Sequence, residues 1–209
     1  MNHGNVCKDI DVKKIITSNP IEHMMELQRL LQERLGKGHD NSDSFELIAT
    51  KLIYWRHCIH TECDELLEWF DTPEPDHQEL EMEIVDIMHF VFNMAIATGI
   101  SSANINSAVK PYLARHDEYA LAAKIGYTEK LICTLSNAIT EYINLFPWKS
   151  WKTYDPEAIP ELNDVITRYA QIVIALFEIA AFYGMTLERI VSVYCAKNAE
   201  NHRRQDDGY

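Results

Sequence analysis

The chain has 209 residues, of which 47% are hydrophobic and 24% are charged, a composition typical of globular proteins and not of disordered ones. It carries 19 Lys and Arg against 32 Asp and Glu, a formal net charge of −13, so nucleic acid and anionic membranes are poor candidates for partners. An anionic substrate would therefore need a metal ion or a basic cluster supplied locally. Only 7 Gly and 7 Pro are present, which favours long helices over a many-turned β-sandwich.

Apolar residues recur at helical spacing along most of the chain, with helix-breaking residues between the segments. The pattern predicts helices over 21–35, 45–70, 78–98, 102–121, 128–145, 161–183 and 186–199. No alternating strand pattern appears, so we predict an all-α helical bundle built around a four-helix core. We expect a loose N-terminal arm over 1–20 and a single domain over 21–209.

The sequence predicts a cytoplasmic protein. The first residues lack the apolar segment of a secretory signal, and no apolar run approaches the roughly 20 residues that span a bilayer. The five cysteines are odd in number and show no CxxC spacing, so we interpret them as reduced thiols.

Two parts of the chain resemble each other. FNMAIATGI (92–100) shares its pattern with FEIAAFYGM (177–185), and ELLEWF (65–70) more loosely resembles EYINLF (141–146). A duplicated helical hairpin and a chance similarity between apolar helices both account for this echo.

Two acids of the predicted helix 45–70 fall on its apolar side. At about 3.6 residues per turn, Glu62 and Glu65 share an arc with Trp55, whereas Asp64 and Glu68 lie on the opposite arc. Charged residues on a helix usually form its solvated face. We therefore expect Glu62 and Glu65 to face the core.

The predicted helix 78–98 carries a polar line on an otherwise apolar surface. Between residues 84 and 97 the only polar side chains are Asp86, His89 and Asn93, and Glu83 precedes them on a neighbouring arc. A helix that is apolar nearly all round is buried, so this line is expected to face the interior.

Carboxylates that face a core need cations, because an unpaired buried carboxylate is strongly destabilising or becomes neutral. No matching set of Lys or Arg lies on these two helices. Hard carboxylate oxygens suit Mg²⁺, with Mn²⁺ as an alternative. The predicted metal ligands are Glu62, Glu65, Glu83 and Asp86. The competing interpretation is that these acids lie near helix ends and extend to solvent.

Basic residues concentrate in KNAENHRRQDDGY (197–209), at the end of an acidic sequence. Lys and Arg are the residues that hold phosphate, so this segment is a candidate phosphate clamp. It is equally interpretable as a solvated helix end that is favourable against the helix dipole. Beside a carboxylate-bound cation, such a clamp would grip phosphates from the other side.

These motifs resemble the dimeric dUTPases, which are all-α nucleoside triphosphate pyrophosphatases. The resemblance rests on ExxE in IHTECDELL, ExxD in EMEIVDIMHF and the tail pattern KNxxNxxRQxxGY. It covers about residues 24–35, 52–99 and 186–209, and the tail is the most specific of the three signals.

The resemblance implies hydrolysis of a deoxynucleotide, dUTP, to dUMP and diphosphate with Mg²⁺. It assigns the metals to the four acids and the attacking water to Glu65, or otherwise to Glu62. The implied phosphate ligands are Lys197, Asn201, Arg204 and Tyr209. The implied nucleoside contacts are Gln28, Gln32, Trp55, His89 and Phe90, although the family usually has Asn where this chain has Gln32. The apolar excess of the bundle also predicts a homodimer.

Other interpretations stay open at this point. The family's aromatic element normally follows the first carboxylate helix, whereas here FPWKSWK (146–152) follows Glu141, so Glu141, Glu161 and Asp164 form an alternative second-half site. A preference for dCTP as well as dUTP, or for another dNTP, is also compatible with the motifs. Asp86-x-x-His89 loosely resembles half of a carboxylate di-iron motif. A non-catalytic helical module would show neither metal stabilisation nor turnover.

Overall fold

The computed structural model describes residues 14–15, 19–36, 43–70, 76–121, 128–149, 151–155 and 159–208. Within these ranges the chain forms helices and no strand, which confirms the predicted all-α bundle. The helices are α1 (Pro20–Arg34), α2 (Phe45–Phe70), α3 (His77–Thr98), α4 (Ser102–Leu113), α5 (His116–Leu121), α6 (Thr128–Ile143), α7 (Leu162–Phe182) and α8 (Leu187–Asp206). Most of the predicted N-terminal arm lies outside the described residues.

Four helices form the centre of the bundle. α2 packs on α3 and α6 packs on α7, while α2 also contacts α6 and α3 contacts α7. The inner faces of α3 and α7 are fully enclosed, as Met88, Val91, Ile172 and Phe177 are all at 0% exposure. This arrangement is the predicted four-helix core.

The two halves of the chain use the same local structure at corresponding places. Gly99 follows the end of α3 with φ +69°, and Gly184 follows the end of α7 with φ +74°, a left-handed conformation that glycine adopts without strain. The next helix is capped by a hydroxyl in each case, Ser101 for α4 and Thr186 for α8. These matched turns favour the duplicated hairpin over chance similarity.

Each helix that follows one of the two turns packs against the hairpin of the other half of the chain. α4 follows α3 in sequence but packs on α7, and α8 follows α7 but packs on α3 and α1. As a result, residues from the end of the chain lie beside residues of the first hairpin.

The structure divides the predicted helix 102–121 into two helices, α4 and α5. Apolar periodicity alone did not predict this break. Pro111 cannot donate a backbone hydrogen bond, and α4 ends two residues later. The turn lets the buried His116 place Nε2 2.8 Å from the carbonyl oxygen of Met185. It also lets Asp117 accept a hydrogen bond from the backbone N–H of Leu187, at 2.7 Å.

The last helix extends further than predicted, to Asp206 instead of residue 199. Its polar sequence gives no apolar periodicity there, but Asn198 and His202 are buried against the rest of the bundle. Arg34 of α1 donates a 3.0 Å hydrogen bond to the backbone carbonyl of His202 and pairs with Asp206. Contacts with α1 therefore hold the basic segment in helical form.

By length and composition, α7 is the one helix of the described ranges that could cross a membrane, and 61% of its most apolar window is buried inside the protein. Packing against α3, α4, α5 and α6 covers its apolar surface. The core helix of a globular bundle shows the same properties.

Candidate active site

Three carboxylates of the α2–α3 hairpin converge on one point. Glu62 of α2 and Glu83 and Asp86 of α3 place an oxygen atom within 4.8 Å of one another. The two acids of α3 lie on the same face because they are three residues apart, and the antiparallel packing of α2 brings Glu62 opposite them. Glu83 is only 9% exposed, and the other two are half-buried. The inward orientation predicted for these three acids is confirmed.

Glu65 differs from that prediction, because its side chain is exposed and lies outside the three-acid group. Its negative charge still raises the pKa of both Glu62 and Glu83, so it lies within electrostatic reach of them. A helical arc defines direction but not depth, and Glu65 lies on the solvent-facing rim of the cluster.

The three clustered acids disfavour one another's charge. Burial, followed by the charges of Asp86, Glu65 and Glu83, raises the pKa of Glu62 to about 8. Burial and Asp86 raise the pKa of Glu83, although a hydrogen bond from protonated Glu62 opposes this. Burial also raises the pKa of Asp86. Such a group gains stability from a cation that lets all its members ionise.

One such positive charge comes from α8. Lys197 Nζ lies 2.5 Å from Asp86 Oδ2, and the two side chains are only 12% and 20% exposed. Lys197, and more weakly Arg204, act against the effect of burial on the pKa of Asp86. Arg203 points elsewhere, as it is exposed and pairs with Glu200 and Asp207. Sequence reasoning missed the Lys197–Asp86 contact, which exists only because α8 crosses onto α3.

A cavity of about 320 Å³ connects the acidic cluster to an aromatic pocket. All five predicted nucleoside contacts line it, and so do Glu62, Asp86, Lys197, Asn201 and Arg204. Its volume is in the range of small-molecule sites. Tyr209, the remaining predicted phosphate ligand, lies outside the described residues.

The end of the cavity away from the acids is aromatic and amide-lined. Trp55 and Phe90 stack with ring centroids 5.9 Å apart and an interplanar angle of 25°. Gln28 donates a 2.8 Å hydrogen bond from Nε2 to Asn93 Oδ1, and the buried Tyr194 donates one of 3.2 Å to Gln28 Oε1. Aromatic faces and paired amides are suited to a planar heterocycle.

Sequence reasoning missed three participants at this end of the cavity. Asn93 and Tyr54 both line the cavity. Asn93 could have been predicted from the sequence, because it lies on the polar line of α3. Tyr194 could not have been, because a buried tyrosine on an apolar helix face reads as ordinary core.

The chain was also compared with known protein families. A family model described as dUTPase matches residues 20–121 and 157–209. The chain belongs to the dimeric all-α dUTPase family. Members are hydrolases that act on nucleotides and generally depend on metal. A search of curated proteins found no match.

The residues present fit the metal that dUTPases generally require. The three-acid group offers hard oxygen donors, which divalent cations such as Mg²⁺ prefer. It also holds more negative charge than the ammonium group of Lys197 balances. His89 lies outside the group, so Asp86-x-x-His89 does not form a metal-binding pair of the di-iron type within the described residues.

The alternative second-half site is not assembled within the part of the chain that the structure describes. Glu141 forms an ion pair with Arg168 of α7, and Glu161 and Asp164 are exposed at the start of that helix. Among the residues that the structure describes, these acids form no metal-ligand group. The family match also omits residues 122–156, which contain α6 and the FPWKSWK segment.

Proposed function

We propose that the protein is a dUTP pyrophosphatase, which hydrolyses dUTP to dUMP and diphosphate with Mg²⁺, or with Mn²⁺ as an alternative. The observation that carries this proposal is one continuous cavity with acids and a lysine at one end and stacked aromatics with amides at the other. A nucleoside triphosphate has the matching arrangement, with a charged chain at one end and a planar base at the other.

Glu62, Glu83 and Asp86 would hold the divalent cations, with Glu65 at the rim as a further ligand. When bound, these cations neutralise phosphate charge and make a coordinated water more acidic. Without them, an acidic cluster would repel a triphosphate of about four negative charges.

The chain's own groups have two tasks in this reaction. Lys197 and Arg204 hold the phosphates, with Asn201 lining the same wall, and Lys197 exchanges its contact with Asp86 for one with phosphate oxygen. The Glu65 carboxylate, or otherwise that of Glu62, takes a proton from the attacking water. Water then forms a bond to phosphorus while the bond to the diphosphate leaving group breaks. Positioning and charge neutralisation account for most of the acceleration in such reactions.

The decisive experiment measures pyrophosphate release from dUTP, dCTP, dTTP, dATP and dGTP with Mg²⁺, and again with EDTA. We expect dUTP to be the best substrate and EDTA to abolish turnover. Absence of turnover with all five nucleotides would contradict the proposal, and equal turnover of dCTP and dUTP would support the broader alternative.

We further propose that the protein is a homodimer, since the family is dimeric, and that it acts in the cytoplasm, where its cysteines would stay reduced. Light scattering of the purified protein should give twice the mass of the chain. A monomeric mass would contradict this part of the proposal.

A further inference from the structure

We propose that His89 and Asn93 select the base, by presenting one hydrogen-bond acceptor and one donor that match uracil and oppose cytosine. Gln28 and Tyr194 act as positioning residues that fix this pattern. The inference rests on the proposed function, which supplies the uracil nucleotide, and it assigns roles that the family resemblance does not give.

The acceptor is Nε2 of His89. Nδ1 of the same ring lies 2.8 Å from the backbone carbonyl oxygen of Val85, and because a carbonyl can only accept, Nδ1 must carry the proton. Burial lowers the pKa of His89 to about 4, so the ring is neutral near pH 7 and Nε2 keeps its lone pair. Nε2 is buried with no hydrogen-bond partner among the described residues, although His89 lines the cavity.

The ring of His89 is also held in place. It lies parallel to the ring of Tyr194, with centroids 4.2 Å apart and an interplanar angle of 8°. A buried acceptor without a partner is unfavourable by itself. A ligand N–H that reaches Nε2 would remove that penalty.

The donor is the amide nitrogen of Asn93. Tyr194 donates to Gln28 Oε1, which orients Gln28 so that its Nε2 donates to Asn93 Oδ1. Because Asn93 Oδ1 accepts this bond, its Nδ2 is the group left to donate into the cavity that Asn93 lines. Gln28 is thus engaged with protein groups, and the base contact passes to Asn93.

Uracil carries an N–H donor at N3 beside a carbonyl acceptor at O4, whereas cytosine carries a bare N3 beside an N4 amino donor. With His89 Nε2 against N3 and Asn93 Nδ2 against position 4, uracil completes two hydrogen bonds. Cytosine instead places two lone pairs together and two donors together. Oε1 of Gln32, which is buried and has no hydrogen-bond partner among the described residues, adds a second acceptor to the same cavity wall. Sites built to hydrogen-bond one edge reject the other strongly, since buried groups are then unpaired.

The test compares the binding of dUMP and dCMP by calorimetry, and the dUTP and dCTP values of kcat/KM, for Tyr194→Phe and the matched control Tyr169→Phe. Tyr169 is equally buried, but its hydroxyl donates a 2.8 Å hydrogen bond to the Val91 carbonyl, whereas that of Tyr194 donates to Gln28. Each variant loses one buried hydroxyl. We expect Tyr194→Phe to lower the uracil-to-cytosine preference at least tenfold, and Tyr169→Phe to leave the preference unchanged.

Asn93→Asp provides a second, direct test, because it replaces the donor by an acceptor while keeping size. It should shift the Kd ratio at least tenfold toward dCMP, with folding checked by circular dichroism. An unchanged preference in both Tyr194→Phe and Asn93→Asp, or an equal loss in Tyr169→Phe, would overturn the inference. Binding of the monophosphates needs no hydrolysis, so a dUMP preference in a protein that turns over no dNTP would refute the proposed function alone.

Discussion

Ionisation of Glu62 is needed to bind a cation but lowers the stability of the folded protein. Its pKa is raised to about 8, so without a cation the folded protein holds a proton there that the unfolded chain releases above its ordinary pKa of 4.5. The folded state therefore binds more protons between these values, and stability falls as pH rises from 4.5 to 8. The loss reaches its full value above pH 8, where the ionised form that can bind a cation prevails.

We predict that Glu62→Gln is more stable than the parent protein in EDTA at pH 8, by about 1–2 kcal/mol after allowance for solvent screening. The difference should disappear below pH 4.5, because Glu62 is then neutral in the folded and in the unfolded state. Urea unfolding at several pH values measures this effect. The same variant should lose at least about a hundredfold in pyrophosphate release, since it lacks a metal ligand.

Glu68→Gln is the matched control, as Glu68 is an exposed acid of the same helix outside the three-acid group. It should change neither property. Full activity in Glu62→Gln, or the same stability gain in Glu68→Gln, would contradict the role given to Glu62.

Lys197 should have opposite effects on metal and on nucleotide. In Lys197→Met, Asp86 loses its ammonium partner. A divalent cation then no longer competes with the lysine for the Asp86 carboxylate, so Mg²⁺ affinity should rise severalfold. The KM for dUTP should rise about tenfold, equivalent to the loss of about 1.4 kcal/mol of phosphate binding. Calorimetry with Mg²⁺ and steady-state kinetics measure the two effects. Arg203→Met, which alters a basic residue directed away from the cavity, should change neither, and weaker Mg²⁺ binding in Lys197→Met would refute the competition.

At the scale of the helices, the sequence predicts well what depends on local period and capping. Most helix boundaries agree within two residues, because Gly99 and Gly184 end helices by a local mechanism. The end of α8 does not agree, since Arg34 and the buried Asn198 hold it through contacts that are distant in sequence. Propensity and periodicity carry no information about such partners.

The position of α8 predicts how its variants behave. Deleting residues 197–209 should lower Tm by at least about 5 °C as well as removing activity, because it takes away buried side chains and the Arg34 contacts. Arg204→Ala should raise KM and lower kcat with Tm nearly unchanged, as its side chain is exposed. Calorimetric melting and steady-state kinetics distinguish them. An unchanged Tm after the deletion would mean that α8 does not support the bundle.

In the candidate site too, the sequence predicts what depends on local helical spacing but not what depends on contacts distant in sequence. Helical spacing located Glu62, Glu83 and Asp86, since one helix face is readable from the sequence. It misjudged Glu65, because burial depends on how far the hairpin is covered by neighbouring helices. The link from Tyr194 through Gln28 to Asn93 joins α8, α1 and α3, and no local pattern encodes a contact across 166 positions of sequence.

At the scale of the whole molecule, the two hairpins have similar helices and turns but different arrangements of their acidic side chains. Where the first hairpin gathers Glu62, Glu83 and Asp86 into one cluster, the second joins Glu141 to Arg168, so the Glu141 carboxylate is already neutralised. An exposed pair of this kind contributes about 0–1 kcal/mol to stability.

Glu141→Gln and Arg168→Met should therefore leave the kcat/KM for dUTP within about twofold of the parent value, with stability changed by less than about 1 kcal/mol. Steady-state kinetics and urea unfolding measure both quantities. A large loss of activity in Glu141→Gln would revive the second-half site that the structure disfavours.

Because α8 crosses onto α3, the acidic and the basic side chains of one cavity come from distant parts of the sequence. The acids belong to a fragment comprising residues 1–125, and the basic groups to a fragment comprising residues 126–209. Neither fragment alone could both bind the cation and hold the triphosphate. Restored turnover on mixing the two would therefore report their physical reassociation, which makes this fold a natural basis for a split reporter enzyme.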